Sequence, residues 1–552
     1  MSSPTSVTSA VMLALPVPLL LTGLLAGVGA DKHPRLIRRF TTFSATYALV
    51  SAFVAAMGYA FSAQGSETYA SVTLPANLGA ASLSVYVDPL TMIMLLLVTF
   101  VGLIVARYSS SYMEGEVHEG QFHRWLSFTL ASFLTLIMTS NFWGFIVASF
   151  ATTIFLGQLL SFYKQRPGAV LAARKKTIFT LTANTSMLLA FVLVARVLHT
   201  SDFGDLRFAL SHFHRPMPLS LEVAAGLVAL SAVLRSAQFP THGWLIQVME
   251  APTPVSALLH AGIIYTGTFL VLRMSPLMSR IGWTGVALVL VGLVSIVAGS
   301  TMMMTSTAIK ASLAYSTLAQ MGFMLMECGL GVYSVAVLHI VSHSVYKAHA
   351  FLSSGSVVEN FREPALPAVF NAGSVRRALL GLVVAVAMTV GIGSAFGVLT
   401  GRQRAVLALG LVVSLAVTHL LLQALNTKGS GSKALILWMG LLSAGVVTAY
   451  FALHRAFGVL LAPSLPSAIV PSGIAQDILL ALIVAVFIGL LAVQQMLPRI
   501  MKKPAWRAVY VHLYNGLYVD LFFTRLLCRT GSAGRRAEGL DRDRREAVGS
   551  AI

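Results

Sequence analysis

The sequence predicts an all-α polytopic membrane protein of about 13 to 15 transmembrane helices, and three observations carry that expectation. Of the 552 residues, 57% are hydrophobic and only 10% are charged, where soluble domains carry about 25% charged residues. The mean hydropathy is +0.81. Apolar runs of roughly 20 residues, enough to cross a bilayer core at about 1.5 Å per residue, recur from one end to the other. In hydrocarbon each segment has to satisfy its own backbone N–H and C=O groups, so these spans are helices.

In chain order the expected spans lie at 8–30, 41–62, 88–106, 126–140, 142–163, 177–199, 219–235, 253–272, 282–304, 309–328, 332–353, 378–398, 405–425, 434–453 and 477–497. The first run has no basic leader ahead of it, which predicts a retained span rather than a cleaved signal. With the N-terminus outside, the inside loops include "DKHPRLIRR" (31–39), "KQRPGAVLAARKK" (164–176), "NTKGSGSK" (426–433) and the tail from "RIMKKP" at 499, which are the basic segments. The outside loop at 63–84 carries no Lys or Arg. Parity and charge therefore agree on an odd number of spans with the C-terminus in the cytoplasm. Three regions are expected: a bundle over 1–500, a membrane-proximal segment over 501–530 and a mobile basic cytoplasmic tail over 531–552.

The net charge of +19 is accounted for by basic loops that stay inside, which removes the reason to invoke nucleic acid. Cys328 and Cys528 lie in no CxxC pair and support neither a disulfide framework nor a metal cluster. No nucleophile elbow, P-loop or paired-Cys motif is present. The Gly-rich "GIGSAFG" (391–397) lies inside an apolar run, where close helix packing explains it.

Charged groups inside spans cost about 2.5–3.5 kcal/mol each on insertion scales, and they mark ion or substrate pathways. They cluster in three places. "LRSAQFPTHGWLIQVMEAPTPVSALLHA" (234–261) holds Arg235, His242, Glu250 and His260 among Pro240, Pro252 and Pro254. It reads either as a broken helix facing a wet cavity or as a tight interfacial loop with Arg235 snorkelling. "TSTAIKASLAYSTLAQMGFM" (305–324) puts Lys310, Leu313 and Thr317 on one helical face, with the ammonium either above a polar stripe or at the interface. "VLHIVSHSVYKAHAFLSSGS" (337–356) repeats His339, His343 and Lys347 every four residues, one face over about 12 Å. With a cation next on the face and no nearby carboxylate or Cys, this is a poor zinc site. Histidines and a desolvated lysine in line can pass protons; polar helix–helix adhesion is the alternative.

These stretches resemble the large antiporter-like subunits of respiratory complex I and of the multisubunit cation/proton antiporters. "YVDPLTMIMLLLVTFVGLIVARYSSSYM" (86–113) is similar to that family's early signature. The three clusters are similar to its broken-helix signature and the two that follow, and "YNGLYVDLFFTRLL" (514–527) to a segment near its C-terminal spans. The resemblance implies two inverted five-helix repeats, each with a broken helix lining a half-channel. It also implies a fifth-span acid paired with a seventh-span lysine, and here the sequence departs. Ser149 and Phe150 stand where the family has Trp-Glu, Arg235 where it has the lysine, Gln247 in place of its broken-segment Asp, and Ala308 in place of an acid. Its twelfth-span lysine has no counterpart in 378–398, nor does the long lateral helix of the complex I version. An arginine stays charged through any cycle, so it attracts anions and repels cations.

A scaffold that keeps this pattern without the pumping pair resembles the membrane subunits of the DAB inorganic-carbon transporters of bacteria. That resemblance implies a place in the inner (cytoplasmic) membrane and a DabA-like partner whose carbonic-anhydrase-like zinc site hydrates CO2 to bicarbonate, drawn one way by a cation gradient, H⁺ or Na⁺, through this chain. The chain itself is then a transport subunit, not an enzyme, and holds no cofactor. The expected conducting line is Lys310, His339, His343 and Lys347, with His242 and His260 joining it to the broken helix and Glu250 balancing Arg235. The alternatives are a subunit of a cation/proton antiporter or of a complex I- or hydrogenase-like pump, and a passive membrane anchor.

Overall fold

The computed structural model describes residues 4–27, 29–61, 65–75, 78–355, 375–398, 405–414, 417, 432–466, 474–500 and 503–529. The expected tail at 531–552 lies outside the described residues, as do most of the 426–433 loop and the second half of the 405–425 span.

Helices α1 (Pro4–Ala14) and α2 (Val17–Ala26) form one apolar stretch interrupted at Pro16, and α3 (Pro34–Tyr59) follows. Pro34 at the first helical position starts α3. Arg35, Arg38 and Arg39, expected in a loop, therefore belong to a helix. The expected outside loop at 63–84 is instead largely a β-hairpin, the one departure from an all-helical chain among the described residues. Strands β1 (Gly65–Thr73) and β2 (Ala80–Val87) pair antiparallel with an irregularity between Thr68 and Ala70. The stretch is rich in Ser, Thr, Tyr and Val, residues that suit a pleated ribbon, and outside hydrocarbon a strand edge can be solvated. Asn141 Nδ2 donates to Ala80 O (2.8 Å) and Ser201 Oγ to the same carbonyl (2.7 Å), which ties the hairpin to the bundle.

The bundle continues with α4 (Pro89–Tyr112), α5 (Glu119–Met138), α6 (Phe142–Leu160), α7 (Pro167–Leu198), the short α8 (Phe203–Ser211) and α9 (Leu219–Arg235). Helix α7 begins ten residues before the expected span. The "KQRPGAVLAARKK" segment is thus mostly helix, and Lys175 and Lys176 lie buried in it rather than in a basic loop. After α9 come α10 (Gly243–Gln247), α11 (Thr253–Ala261), α12 (Thr266–Arg273) and the single turn α13 (Ser275–Met278). Then come α14 (Gly282–Thr305), α15 (Ile309–Gly329) and α16 (Tyr333–Leu352), with α15 antiparallel to both of its neighbours. The described remainder comprises α17 (Val375–Ala395), α18 (Ala405–Ser414), α19 (Ser432–Leu461), α20 (Ile474–Ile500), α21 (Pro504–Tyr514) and α22 (Val519–Arg529).

Among the described residues, nine stretches are long and apolar enough to cross a membrane. Helices α5, α15 and α16 run 20 to 21 residues but carry the polar groups that lower their hydropathy, and α9 is shorter at 17 residues. The chain is a multi-pass membrane protein. Its centre is α11–α12, where every residue from Ala251 to Ser275 is buried, while the windows in α19 and α20 are only 17% and 11% buried. A helix buried on all sides belongs to the middle of a bundle. Helix α14 packs closely along α15, because a Cβ at Gly292 would meet Gly322 O at 2.4 Å, the close backbone approach that small residues permit. Asp88, which caps α4 through Thr91 N, pairs with buried Arg273 at 3.0 Å and pins α4 to α12.

Candidate functional site

The proline-rich segment is a broken helix, not an interfacial loop with a snorkelling arginine. Helix α9 ends on Arg235, which is 7% exposed. Ala237 then adopts a left-handed φ of 50°, and the Phe239–Pro240 bond is cis. The chain resumes through α10 to α11, with Pro252 and Pro254 at the N-terminus of α11, where a missing N–H leaves no helical bond unmade. A second interruption at Gly262 separates α11 from α12.

The side chains that hydrogen bond Arg235 are neutral. Its Nη1 donates to Ser149 Oγ (2.7 Å), its Nε to Ser231 Oγ (3.2 Å), and its Nη2 to Asn184 Oδ1 and Met187 Sδ. Ser149 Oγ in turn donates to Asn184 Oδ1 at 3.0 Å. Ser149, the neighbour of Phe150 at the position expected to lack its acid, thus meets the arginine with a hydroxyl. Glu250 does not balance Arg235: it is half exposed and lies 3.8 Å from Arg166. The reason is that the segment after Pro240 carries the chain out to the surface before α11 turns back in.

A carboxylate enters this side of the bundle from α22. Asp520 accepts from Lys175 Nζ at 2.7 Å through one oxygen and from Gln247 Nε2 at 2.6 Å through the other, and Lys175 also donates to Thr524 Oγ1 at 2.6 Å. Gln247, which replaces an expected acid, is therefore a donor to an acid supplied from elsewhere. No local pattern in the sequence links positions 175, 247 and 520, so sequence reasoning missed Lys175 and Asp520.

The expected line on α16 is real as a face, and the structure adds two members. Glu327 on α15 meets His339 Nδ1 at 3.1 Å, and His339 Nε2 contacts Gln320 Oε1 at 2.8 Å. The rings of His339 and His343 sit edge to face with centroids 6.2 Å apart. His343 Nδ1 hydrogen bonds the Tyr265 hydroxyl at 2.7 Å, and that hydroxyl also donates to His260 O at 3.2 Å. His260 Nδ1 contacts Thr317 Oγ1 at 3.1 Å; Thr317 Oγ1 and Lys347 Nζ both reach Leu313 O, at 3.0 and 2.9 Å. Lys347 is fully buried, and His343 is 5% exposed. Polar groups thus run from Glu327 through His339, His343, Tyr265 and His260 to the neighbourhood of Lys347, joining α15, α16, α11 and the turn that leads into α12.

Two expected members stand apart. Lys310 Nζ donates to Thr253 Oγ1 (2.9 Å) at the start of α11, at the other end of α15 from Glu327. His242 is buried between the rings of Phe239 and Tyr315, with no side-chain hydrogen bond to the line among the described residues. Glu327 and Tyr265 carried a weak signal in the sequence, a carboxylate and a phenol inside apolar runs. Their partners are decided by helix packing.

Two families match the chain by sequence. The one described as NADH:quinone oxidoreductase/Mrp antiporter, TM, matches residues 140–398, and the one described as NADH-ubiquinone oxidoreductase (complex I), chain 5 N-terminus, matches 75–123. A probable inorganic carbon transporter subunit DabB2 of Halothiobacillus neapolitanus is 37% identical over 95% of this chain and 94% of its own length. A probable inorganic carbon transporter subunit DabB of Hydrogenovibrio crunogenus is 35% identical over 82% and 84%. Among solved structures, a chain of the Mrp complex from Dietzia sp. superposes with a TM-score of 0.63 at 23% identity. The match covers 98% of this chain and 60% of that one, and it is a likeness of fold.

Proposed function

Since this chain belongs to the DabB family of inorganic carbon transporter subunits, within the antiporter-like membrane proteins, we propose that it conducts H⁺ to drive CO2 hydration in a zinc-containing, DabA-like partner. The chain is the ion-translocating subunit, and bicarbonate accumulates on the cytoplasmic side. It sits in the bacterial inner membrane with its N-terminus outside and C-terminus inside, and the zinc and the hydration chemistry belong to the partner.

The observation that carries this reading is the buried polar path from Glu327 to the neighbourhood of Lys347. Each of Glu327, His339, His343 and Tyr265 has an ionisable or exchangeable proton, and successive groups lie within hydrogen-bond or ring-contact range. Such groups are costly inside a bundle and are retained where protons or ions move. Arg235 lies off this path and cannot act as the switchable lysine of a pump, because its guanidinium holds its proton. Conduction by this chain then requires no charge switch at position 235.

Co-expression with the neighbouring partner gene in a carbonic-anhydrase-deleted bacterium tests the proposal. The native pair is expected to rescue growth in ambient air, an uncoupler to abolish the rescue, and the purified pair to contain zinc. His343→Ala and Lys347→Ala chains should assemble with the partner yet fail to rescue. Full rescue by both variants removes the conducting path. Rescue that is indifferent to the uncoupler returns the chain to the role of passive anchor. Neighbouring genes for small antiporter subunits or iron–sulfur proteins would instead favour a cation/proton antiporter or a respiratory pump.

A further inference from the structure

The chamber at the end of α9 holds two buried cations and no acid. Arg235 on α9 and Lys176 on α7 line one cavity of about 30 Å³, together with Ser149, Thr152, Thr153, Thr180 and Trp244. Lys176 is 5% exposed. Its neighbour Lys175 points to Asp520, but the Lys176 ammonium has no hydrogen-bond or ion-pair partner among the described residues. Arg235 is held only by neutral acceptors. Two uncompensated positive charges facing one cavity are unfavourable unless Lys176 gives up its proton or something negative joins them.

The donor chemistry narrows the guest. The hydroxyls around the cavity already donate within the protein: Ser149 to Asn184 Oδ1, Thr152 to Ala148 O and Ser132 Oγ, Thr153 to Ser149 O, and Thr180 to Lys176 O. Free N–H groups remain on the cations, three on Lys176 and part of the five-donor guanidinium of Arg235, and Asn184 Nδ2 is also without a partner. A cavity that offers donors and positive charge selects an acceptor that is negative. About 30 Å³ is roughly two to three times the 10–15 Å³ that one water takes by the same measure, so the guest is small.

We infer that Arg235 and Lys176 form a buried binding site for a small monovalent inorganic anion, of the size of chloride or bicarbonate. The site lies beside the broken helix and shares no lining residue with the polar path, although Leu259, Ile263, Ile264 and Thr266 of its wall adjoin His260 and Tyr265; its test reads anion binding and not proton conduction.

The test uses the purified full-length chain in detergent. Its thermal unfolding midpoint is followed as gluconate, too large for the cavity, is replaced by chloride or by bicarbonate at fixed pH and ionic strength. A saturable rise in midpoint with either anion is expected. Response to chloride alone identifies a halide site, and a stronger response to bicarbonate identifies a site for inorganic carbon. Lys176→Met should weaken the apparent anion affinity about tenfold or more while leaving the midpoint in gluconate equal to or above that of the native chain, because it removes an uncompensated charge. Arg235→Gln should do the same if it folds. An unchanged midpoint in both anions, or a native-sized anion response in Lys176→Met, overturns the inference.

Discussion

At the scale of single residues, side chains that look equivalent in the sequence divide according to what they meet. Tyr265 is the clearest case, because its hydroxyl joins His343 Nδ1 to the α11 backbone. Tyr265→Phe keeps the ring packing and deletes only this link. Its expected cost in stability is about 1 kcal/mol, by denaturant or thermal unfolding, against loss of growth rescue; a Phe variant that rescues fully would take Tyr265 out of the path. Glu250→Gln should change neither stability nor rescue by a measurable amount, since exposed pairs such as Arg166–Glu250 contribute about 0–1 kcal/mol. Outside the spans, Asp202 caps α8 through Gly204 N at 2.7 Å. Burial raises its carboxyl pKa above the usual range, partly offset by hydrogen bonds from Ser140 and from the Gly204 and Asp205 backbone. The folded chain therefore binds that proton more readily than the unfolded chain does. Its contribution to stability is full below the ordinary carboxylate pKa and is lost as pH rises through the raised value. Asp202→Asn, an equally good cap, should remove that pH dependence; melting curves across mildly acidic pH would read it.

At the scale of elements, α22 holds one end of the broken region together. Asp520 meets Lys175 of α7 and Gln247 of α10 at once, and a Cβ on Gly243 would fall 1.8 Å from Asp520 Oδ1. Asp520→Ala should cost about 3 kcal/mol, the low end for breaking a buried pair, because Lys175 is fully buried whereas Asp520 is 29% exposed. Gly243→Ala should displace α22 without removing any charge. Faster proteolysis of the C-terminal segment in both variants would follow. Native-like resistance in Gly243→Ala would mean that α22 does not depend on this contact. Elements also show what could be read in advance. The α16 face of His339, His343 and Lys347 follows from helical spacing alone, whereas at Pro240 the sequence leaves a broken helix and an interfacial loop open. The hairpin over 65–87 replaces an expected loop, and its Ser, Thr and Tyr content suits strands. Helix α7 starts earlier than expected because residues 167–173 are helical and the basic Arg174, Lys175 and Lys176 after them continue the helix, with both lysines buried.

At the scale of the whole molecule, the charge distribution sets an orientation that can be measured. With Cys328 and Cys528 replaced, single cysteines at exposed Ser71 in the hairpin and at exposed Arg507 in α21 should react with a membrane-impermeant maleimide from opposite sides of the cell membrane. Labelling of both from one side would refute the odd-span topology. Composition and apolar run length determined by themselves that this is a polytopic helical membrane protein, because hydrocarbon admits no other solution for a chain of this kind. The order of its charged motifs determined the family, and the spacing on α16 one face of the site. The tertiary structure alone decided the pairings: Glu327 with His339, Asp520 with Lys175 and Gln247, Glu250 with Arg166, and Arg235 with Ser149 and Asn184. Those pairings join residues up to 345 positions apart. Side-chain hydrogen bonds reach only about 3 Å, so which groups meet is fixed by how helices cross, and no local pattern in the chain encodes that.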